Sequence, residues 1–386
     1  MESGVRKAEE EAGEMELGRI GGRQVILLVW LVSFTSLVVL LPAPVAGLVQ
    51  QDAWLAMLLG AAVVLPGVWA IVALGLRFAN QDLVGCAGAL AGGGGRVLVG
   101  FLYAAFFLLA GALAMRSGAE LFATAFMPET PLLVFLLLMG AVAVVGAWYG
   151  LEVIARSLEI VFPLVLAVSA FQVLTVLPGV ELAQVQPVGF TLLHRPLAAA
   201  RAILIVAAGL GEAAVVGFFL PALYDPRAGL REGMLGVALA GLFLGVIIFA
   251  MVAIFGAWEP ATFTFPAVEL ARAVRIAQFV ERVESVIISI WLIIGFLKLA
   301  LLLHTAAVAL AGALQRSSYR PFVLPGGVAM TALAFFLVKN VTELIRLLTG
   351  WWVYAALGLE LALPLLLWGW ASLQRREGRR AGGRKA

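Results

Sequence analysis

The sequence predicts an all-α integral membrane protein of about ten transmembrane helices. Three observations predict it. Hydrophobic residues make up 63% of the chain and charged residues 13%, and the mean hydropathy is +1.06. An ordinary soluble domain is about 25% charged, so lipid has to solvate much of this surface. Apolar runs of ~20 residues, the length that crosses a bilayer as a helix, recur along the chain. Cationic residues gather in alternate connections, as membrane topology requires.

Taken in order, the runs fall near residues 24–48, 54–78, 97–126, 131–149, 152–178, 199–224, 232–256, 281–313, 322–340 and 350–372. Before them, residues 1–18 are polar and acidic, with Glu9, Glu10 and Glu11 in a row. They lack the basic-then-apolar start of a signal peptide and read as a disordered cytoplasmic tail. Residues 19–373 form a single transmembrane domain, and 374–386 a basic cytoplasmic tail. Two connections are longer, 179–198 and 257–280; in the second, "PAVEL" (Pro266–Leu270) has apolar spacing suited to a short helix across the outer mouth. The run Gly92–Gly95 has no preceding strand and no Lys-Ser/Thr after it, so it is read as a flexible cytoplasmic turn rather than a phosphate loop. Arg19, Arg23, Arg77, Arg96, Arg156, Arg227, Arg231, Arg316, Arg320 and the arginines of the tail share one side if both termini are cytoplasmic. Arg195, Arg272 and Arg275 fall on the other side and dilute the rule.

The sixth run contains "AAGLGEAAVVG" (Ala207–Gly217). Glycine costs a helix interior ~1 kcal/mol relative to alanine, and a carboxylate at bilayer centre costs several more. The expected resolution is two half-helices, unwound near Gly209–Gly211, with Glu212 facing a cavity. The first run places Thr35 and Ser36 mid-span and Pro42 and Pro44 after them, so it is either a second break or a kink. Interrupted helices at matching places in two halves point to a transporter-type binding site. Spans one and six match if the chain is a five-plus-five repeat.

Several segments in their order resemble one family. They are "QDAW" (Gln51–Trp54), "MPETP" (Met127–Pro131), "GLEVIARSLEIVFP" (Gly150–Pro163), Gly211-Glu212, "FPAVEL" (Phe265–Leu270) and "FVERVESVIISIW" (Phe279–Trp291). Together they resemble the spore germination permeases, the B subunits of GerA-type nutrient germinant receptors, from about residue 19 to 315. The resemblance implies the amino acid–polyamine–organocation superfamily and an inverted repeat of leucine-transporter type with broken helices one and six. It implies a germinant, commonly an amino acid such as L-alanine, bound between those breaks. It implies A and C partner subunits in the spore inner membrane, with both termini on the spore-core side. The family often has Gly-Thr or Gly-Ser at the first break, where this chain has Thr35-Ser36. A β-branched residue there limits unwinding and changes the pocket.

An amino-acid ligand would place its carboxylate on N–H groups from Gly211 onward, at a half-helix N-terminus. Its ammonium would meet carbonyls freed near Val206–Gly209 and near Phe34, Thr35 and Ser36. Glu212 has three readings: a partner for that ammonium, a protonation site, or a structural brace of the break. Lys298, deep in the eighth span, either pairs with a buried carboxylate or stands in for a coupling cation. Arg116 and Glu120 read as an intrahelical pair, Glu152, Arg156 and Glu159 as an interfacial row, and Glu281, Arg282 and Glu284 as a helix cap. His304 reads as a buried, hydrogen-bonded side chain.

The single cysteine, Cys86, and two histidines leave no disulfide, thiolate cluster or histidine-rich metal site. No Ser/His/Asp set, HExxH or CxxC occurs, so neither catalysis nor a cofactor or metal is expected. No aromatic residues interleave with the tail arginines, which argues against nucleic acid. The expected function is germinant sensing in a membrane, and the alternative is proton-coupled, sodium-independent amino-acid transport.

Overall fold

A computed structural model describes residues 18–78, 81–273 and 283–382, with side chains of 283–286 and 375–382 outside the description. Most of the expected N-terminal tail, Arg275, Glu281 and Arg282, the Glu284 side chain and the tail arginines therefore lie outside the described residues.

The first crossing comprises α1 (Gly22–Val38) and α2 (Pro42–Val49), separated by a turn at 39–41. A tight reversal at Gln50, with φ 52°, leads into α3 (Ala53–Arg77). A non-glycine residue at positive φ is strained, and here it is buried between two helix ends. Next come α4 (Leu83–Ala125), α5 (Leu132–Tyr149) and α6 (Leu151–Val176). Only Gly150, at φ 90° and ψ 178°, separates α5 from α6, a conformation that glycine alone adopts at low cost because it has no Cβ. After α7 (Phe190–His194), the sixth crossing is α8 (Pro196–Leu210), a 3₁₀ stretch Gly211–Val215 and α9 (Val216–Phe219). The rest is α10 (Ala228–Phe255), α11 (Pro266–Arg272), α12 (Val283–Ala313), α13 (Arg320–Phe336), α14 (Val341–Thr349), α15 (Trp351–Leu357), a π-helical turn Gly358–Ala362 and α16 (Leu363–Gly382).

Among the described residues, eight helical segments are long and apolar enough to cross a membrane; the bent pair α13–α14, at 108°, makes a ninth. The shorter apolar α1 completes the ten expected crossings. The protein is an integral membrane protein. Its packing is reciprocal between halves. The most extensive contacts are α4 with α12 and α3 with α10, and the α1–α10 contact is mirrored by α8–α3. Each of these joins a helix of the first five crossings to the second five, as an inverted repeat demands.

Burial orders the bundle. In the sixth crossing 89% of the apolar window is buried, against 17% in the fifth. The sixth is thus the central post, and α6 presents Ile160 and Leu174 outward to lipid. The N-terminal segment is tied to the end of the sixth crossing by Ile20 N–H donating to Ala222 O at 2.9 Å. The Arg77 guanidinium donates to the Ala371 carbonyl and ties the end of α3 to α16.

Two expectations are corrected. The Gly92–Gly95 run is not a flexible loop. Helix continues on both sides, and only Gly92 departs, at φ 71° and ψ −163°. The glycines serve a sharp kink: a Cβ on Gly95 would lie 2.9 Å from the Ala87 carbonyl oxygen. The acidic–basic row on α6 is also divided. Arg156 pairs with Glu152, but Glu159 accepts from Gln24 Nε2 at 2.9 Å, tying α6 to α1.

A cavity between the first and sixth crossings

In α1, Thr35 Oγ1 donates to Leu31 O at 2.5 Å and Ser36 Oγ to Val32 O at 2.7 Å. Both hydroxyls are spent one turn back on their own helix, so the helix does not break at Thr35–Ser36 as expected. It runs on to Val38. The break follows at 39–41 because Pro42 and Pro44 lack the N–H groups that would serve the Val38 and Leu40 carbonyls. Phe34, expected beside the ligand, is fully buried and stacked on Trp30, with ring centroids 4.9 Å apart.

The sixth crossing does not unwind either. Leu210 and Gly211 keep right-handed helical dihedrals, and the chain tightens to 3₁₀ pitch. The change of pitch costs the Leu210 carbonyl its regular partner, and Ser33 Oγ of α1 donates to it at 2.8 Å. Ser33 is a contact that the sequence reading missed. Val206 lies in intact helix and packs on α3; a Cβ on Gly60 would fall 2.4 Å from its Cγ1. The expected freed carbonyl there is absent.

Glu212 meets Lys298. The Lys298 Nζ lies 3.0 Å from Glu212 Oε2, with the side chains 2% and 6% exposed. Nζ also donates to Ser36 Oγ and, at 3.5 Å, to Val32 O. An ammonium at this depth is tolerated only when paired and hydrogen-bonded. Oxygen atoms from α1 and the 3₁₀ stretch supply both.

Sequence reasoning also missed Glu360. It sits in the π-helical turn of the tenth crossing, 3% exposed, within electrostatic reach of Glu212 and Lys298. Its carboxylate presses on the sixth crossing, since a Cβ on Gly211 would fall 2.1 Å from Glu360 Oε2. Gly211 is therefore turned toward Glu360 and does not wall the cavity. A signal was present: Gly358-Leu359-Glu360 puts a lone carboxylate near a glycine inside an apolar run, as Gly211-Glu212 does.

Between the crossings lies a cavity with about 1020 Å³ of empty volume, part of it continuous with open solvent. Thr35, Ser36, Ser117, Glu212 and Lys298 give its polar wall, and Gly209 lines it as well. Trp291, Trp352, Leu40 and Leu41 of the turn after α1, and leucines of α4 and α12 give the apolar wall. Of the expected site residues, the structure gathers Thr35, Ser36, Gly209, Glu212 and Lys298 here. It leaves Phe34, Val206 and Gly211 outside. Such a shape, mostly apolar with a few convergent polar groups, is what small-molecule sites share. Among the described residues no group of three or more His, Cys, Asp or Glu is placed to hold a metal.

Residues 19–344 match the spore permease family, described as spore germination protein. The chain belongs to that family. Two relatives from Bacillus subtilis (strain 168) agree. Spore germination protein KB is 23% identical over 360 residues, covering 92% of this chain and 94% of the relative. YfkT, a candidate spore germination protein, is 26% identical over 298 residues, covering 77% and 80%. Among solved structures, the chain resembles Mhp1, a nucleobase–cation symporter in a closed conformation with bromovinylhydantoin bound. The TM-score is 0.65 at 18% identity, over 92% of this chain and 78% of that one. It also resembles MhsT in complex with L-phenylalanine, with TM-score 0.59 at 17% identity, over 89% and 87%. At these identities the likeness shows the fold, which is that of leucine-transporter-type proteins. Family and structural neighbours are permeases and transporters rather than enzymes.

The family motifs now have physical roles in this spore germination permease. The "QD" step closes the face opposite the termini. Asp52, fully buried, accepts from the N–H groups of Gly189, Thr191 and Leu192 at 2.7, 2.8 and 3.2 Å. Gln51 Nε2 adds a bond to Pro187 O at 3.3 Å. Together they clasp the long 179–198 connection onto the start of α3. "FPAVEL" folds as α11 against α2 and α12, the short helix that its spacing predicts. Arg116 pairs with Glu120 at 2.7 Å and also caps α13, donating to Ala334 O and Phe335 O at 3.1 and 3.2 Å. His304 is buried edge-on to Tyr319, with centroids 4.5 Å apart.

Proposed function

We propose that this membrane protein is the germinant-sensing subunit of a spore nutrient receptor, and that it binds an amino acid in the cavity between its first and sixth crossings. The observation that carries the reading is the Glu212–Lys298 pair at the polar end of an otherwise apolar cavity. Glu212 offers a carboxylate to an α-ammonium, Lys298 offers an ammonium to an α-carboxylate, and the apolar wall takes the side chain. The relatives' names support a role in germination. A and C subunits would receive the signal in the spore inner membrane, with both termini on the core side. Binding would bias the bundle between two arrangements through its unequal affinity for them.

A second reading is favoured by one feature. Lys298 Nζ is surrounded by a backbone carbonyl, a hydroxyl and a carboxylate, an oxygen set of the kind that alkali cations use. A tethered ammonium in such a set supports proton-coupled, sodium-independent amino-acid transport.

Uptake and equilibrium binding of labelled amino acids by the protein in liposomes separates the two. The sensor reading expects saturable binding with no accumulation under a proton gradient. Accumulation that collapses with the gradient supports transport, and absence of both counts against an amino-acid site.

A further inference from the structure

The buried charges of the core do not sum to zero. Glu212 and Glu360 are two carboxylates, and Lys298 is the only described cation in reach of them. Lys298 is committed to Glu212 at 3.0 Å. Neither oxygen of Glu360 has a hydrogen-bond partner among the described residues.

The surroundings of Glu360 close off other partners. The π-helical turn packs on α3, α4, α15, α16 and the Gly211–Val215 stretch. From α4 the facing titratable group is Tyr103, whose hydroxyl donates at 2.7 Å to the Leu359 carbonyl rather than to the carboxylate. From the 3₁₀ stretch it is Glu212, and from α12 it is Lys298. From α3 the neighbour is Gly67, where a Cβ would fall 2.5 Å from the Glu360 carbonyl oxygen. α15 and the described side chains of α16 carry no charge.

An ionised carboxylate here would lack both a counter-charge and a donor, and burial of such a charge is prohibitive. Two carboxylates that share one site do not both ionise when a proton can neutralise one of them. Glu360 also lies behind Glu212 as seen from the cavity, across Gly211, so it senses the charge of that site without lining it.

We propose that Glu360 is a proton-binding site, protonated while the cavity is empty, which releases its proton to water when an ammonium-bearing ligand joins Glu212. On release the O–H bond of the carboxyl breaks, the electron pair stays on oxygen, and water takes the proton. L-alanine brings an ammonium to Glu212 and a carboxylate to Lys298 and so adds no net charge; release leaves the core one unit more negative, and the ammonium newly placed beside the carboxylates offsets that cost. The release step rests on the amino-acid reading of the cavity; the bound proton does not.

The test therefore starts without ligand. Infrared spectra of the full chain in lipid at neutral pH are compared for the parent and Glu360→Gln. The proposal expects the variant to lose one carboxylic-acid carbonyl band and no carboxylate band. Loss of a carboxylate band instead overturns it. Should Glu360→Gln fail to fold, Lys298→Met carries the same test. With Glu360 already protonated, removing the lysine adds one acid band per chain, from Glu212; two new bands overturn the proposal. Release is then read in weak buffer with L-alanine as probe. One proton per bound L-alanine is expected, and none in Glu360→Gln. L-alanine binding without proton release overturns the coupling. Absence of L-alanine binding overturns the coupling as tested and leaves the infrared result standing.

Discussion

The first and sixth crossings hold equivalent places in the inverted repeat, yet they interrupt themselves by different chemistry. α1 keeps its hydrogen bonds through Thr35 and Ser36 and stops where two prolines withhold donors. The sixth crossing changes pitch at Gly211 and brings in a carboxylate. One wall of the cavity thus offers neutral oxygens and the other a fixed charge. Lys298 bridges them, with Ser36 and Val32 on one side and Glu212 on the other. The lesson is that pseudo-symmetry fixes where a helix is interrupted, while the residues at the break decide what the interruption can bind.

The comparison breaks most easily at the bridge. Lys298→Met leaves Glu212 buried without its cation, and losing one partner of a buried pair costs about 3–5 kcal/mol. Thermal unfolding in lipid should show a large fall in Tm, partly restored in the double variant with Glu212→Gln. An unchanged Tm in the single variant would mean the pair does not join the crossings.

Gly211→Ala comes next. Its Cβ would fall 2.1 Å from a Glu360 carboxylate oxygen, and overpacking of this kind costs about 1–3 kcal/mol. Gly209→Ala meets Leu37 Cδ2 and Cγ at 2.6 and 2.7 Å, a shallower overlap with an apolar side chain, and should lose less. Equal losses measured by unfolding would remove the special standing of Gly211. Ser33→Ala sharpens the comparison further, because it deletes the one hydroxyl that crosses from α1 to the sixth crossing. A loss of about 1 kcal/mol is expected, and no loss would show the Leu210 carbonyl served by another group. Smallest is Thr35→Val, whose hydroxyl serves its own helix. Its stability should move by less than about 0.5 kcal/mol; a loss as large as that of Ser33→Ala would show that the hydroxyl holds the break.

The spans were legible because bilayer thickness fixes the length of an apolar run. The expected 54–78 and 131–149 appear as Ala53–Arg77 and Leu132–Tyr149. The break positions were less legible. A hydroxyl in mid-span signals a break only if it leaves its own helix, and sequence does not say which carbonyl it will choose. Gly92–Gly95 read as a loop because glycines mark both flexible turns and close helix contacts. Lys298 and Glu212 stood out singly as buried charges, but their pairing is a long-range contact across 86 residues of chain. Glu360 lies in the middle of the expected 350–372 run, where a carboxylate is costly, but sequence does not say that it shares a site with Glu212 and Lys298, which are 148 and 62 residues away.

The most direct test of the central claim is equilibrium binding of a panel of labelled amino acids to the full chain in lipid, parent against Glu212→Gln, over a range of pH. The account predicts that an amino acid binds the parent and that the variant binds it at least about tenfold more weakly, a loss of ~1.4 kcal/mol, or loses the pH dependence of binding. Binding that is unchanged by the substitution at every pH would contradict the placement of the ligand at Glu212 and Lys298.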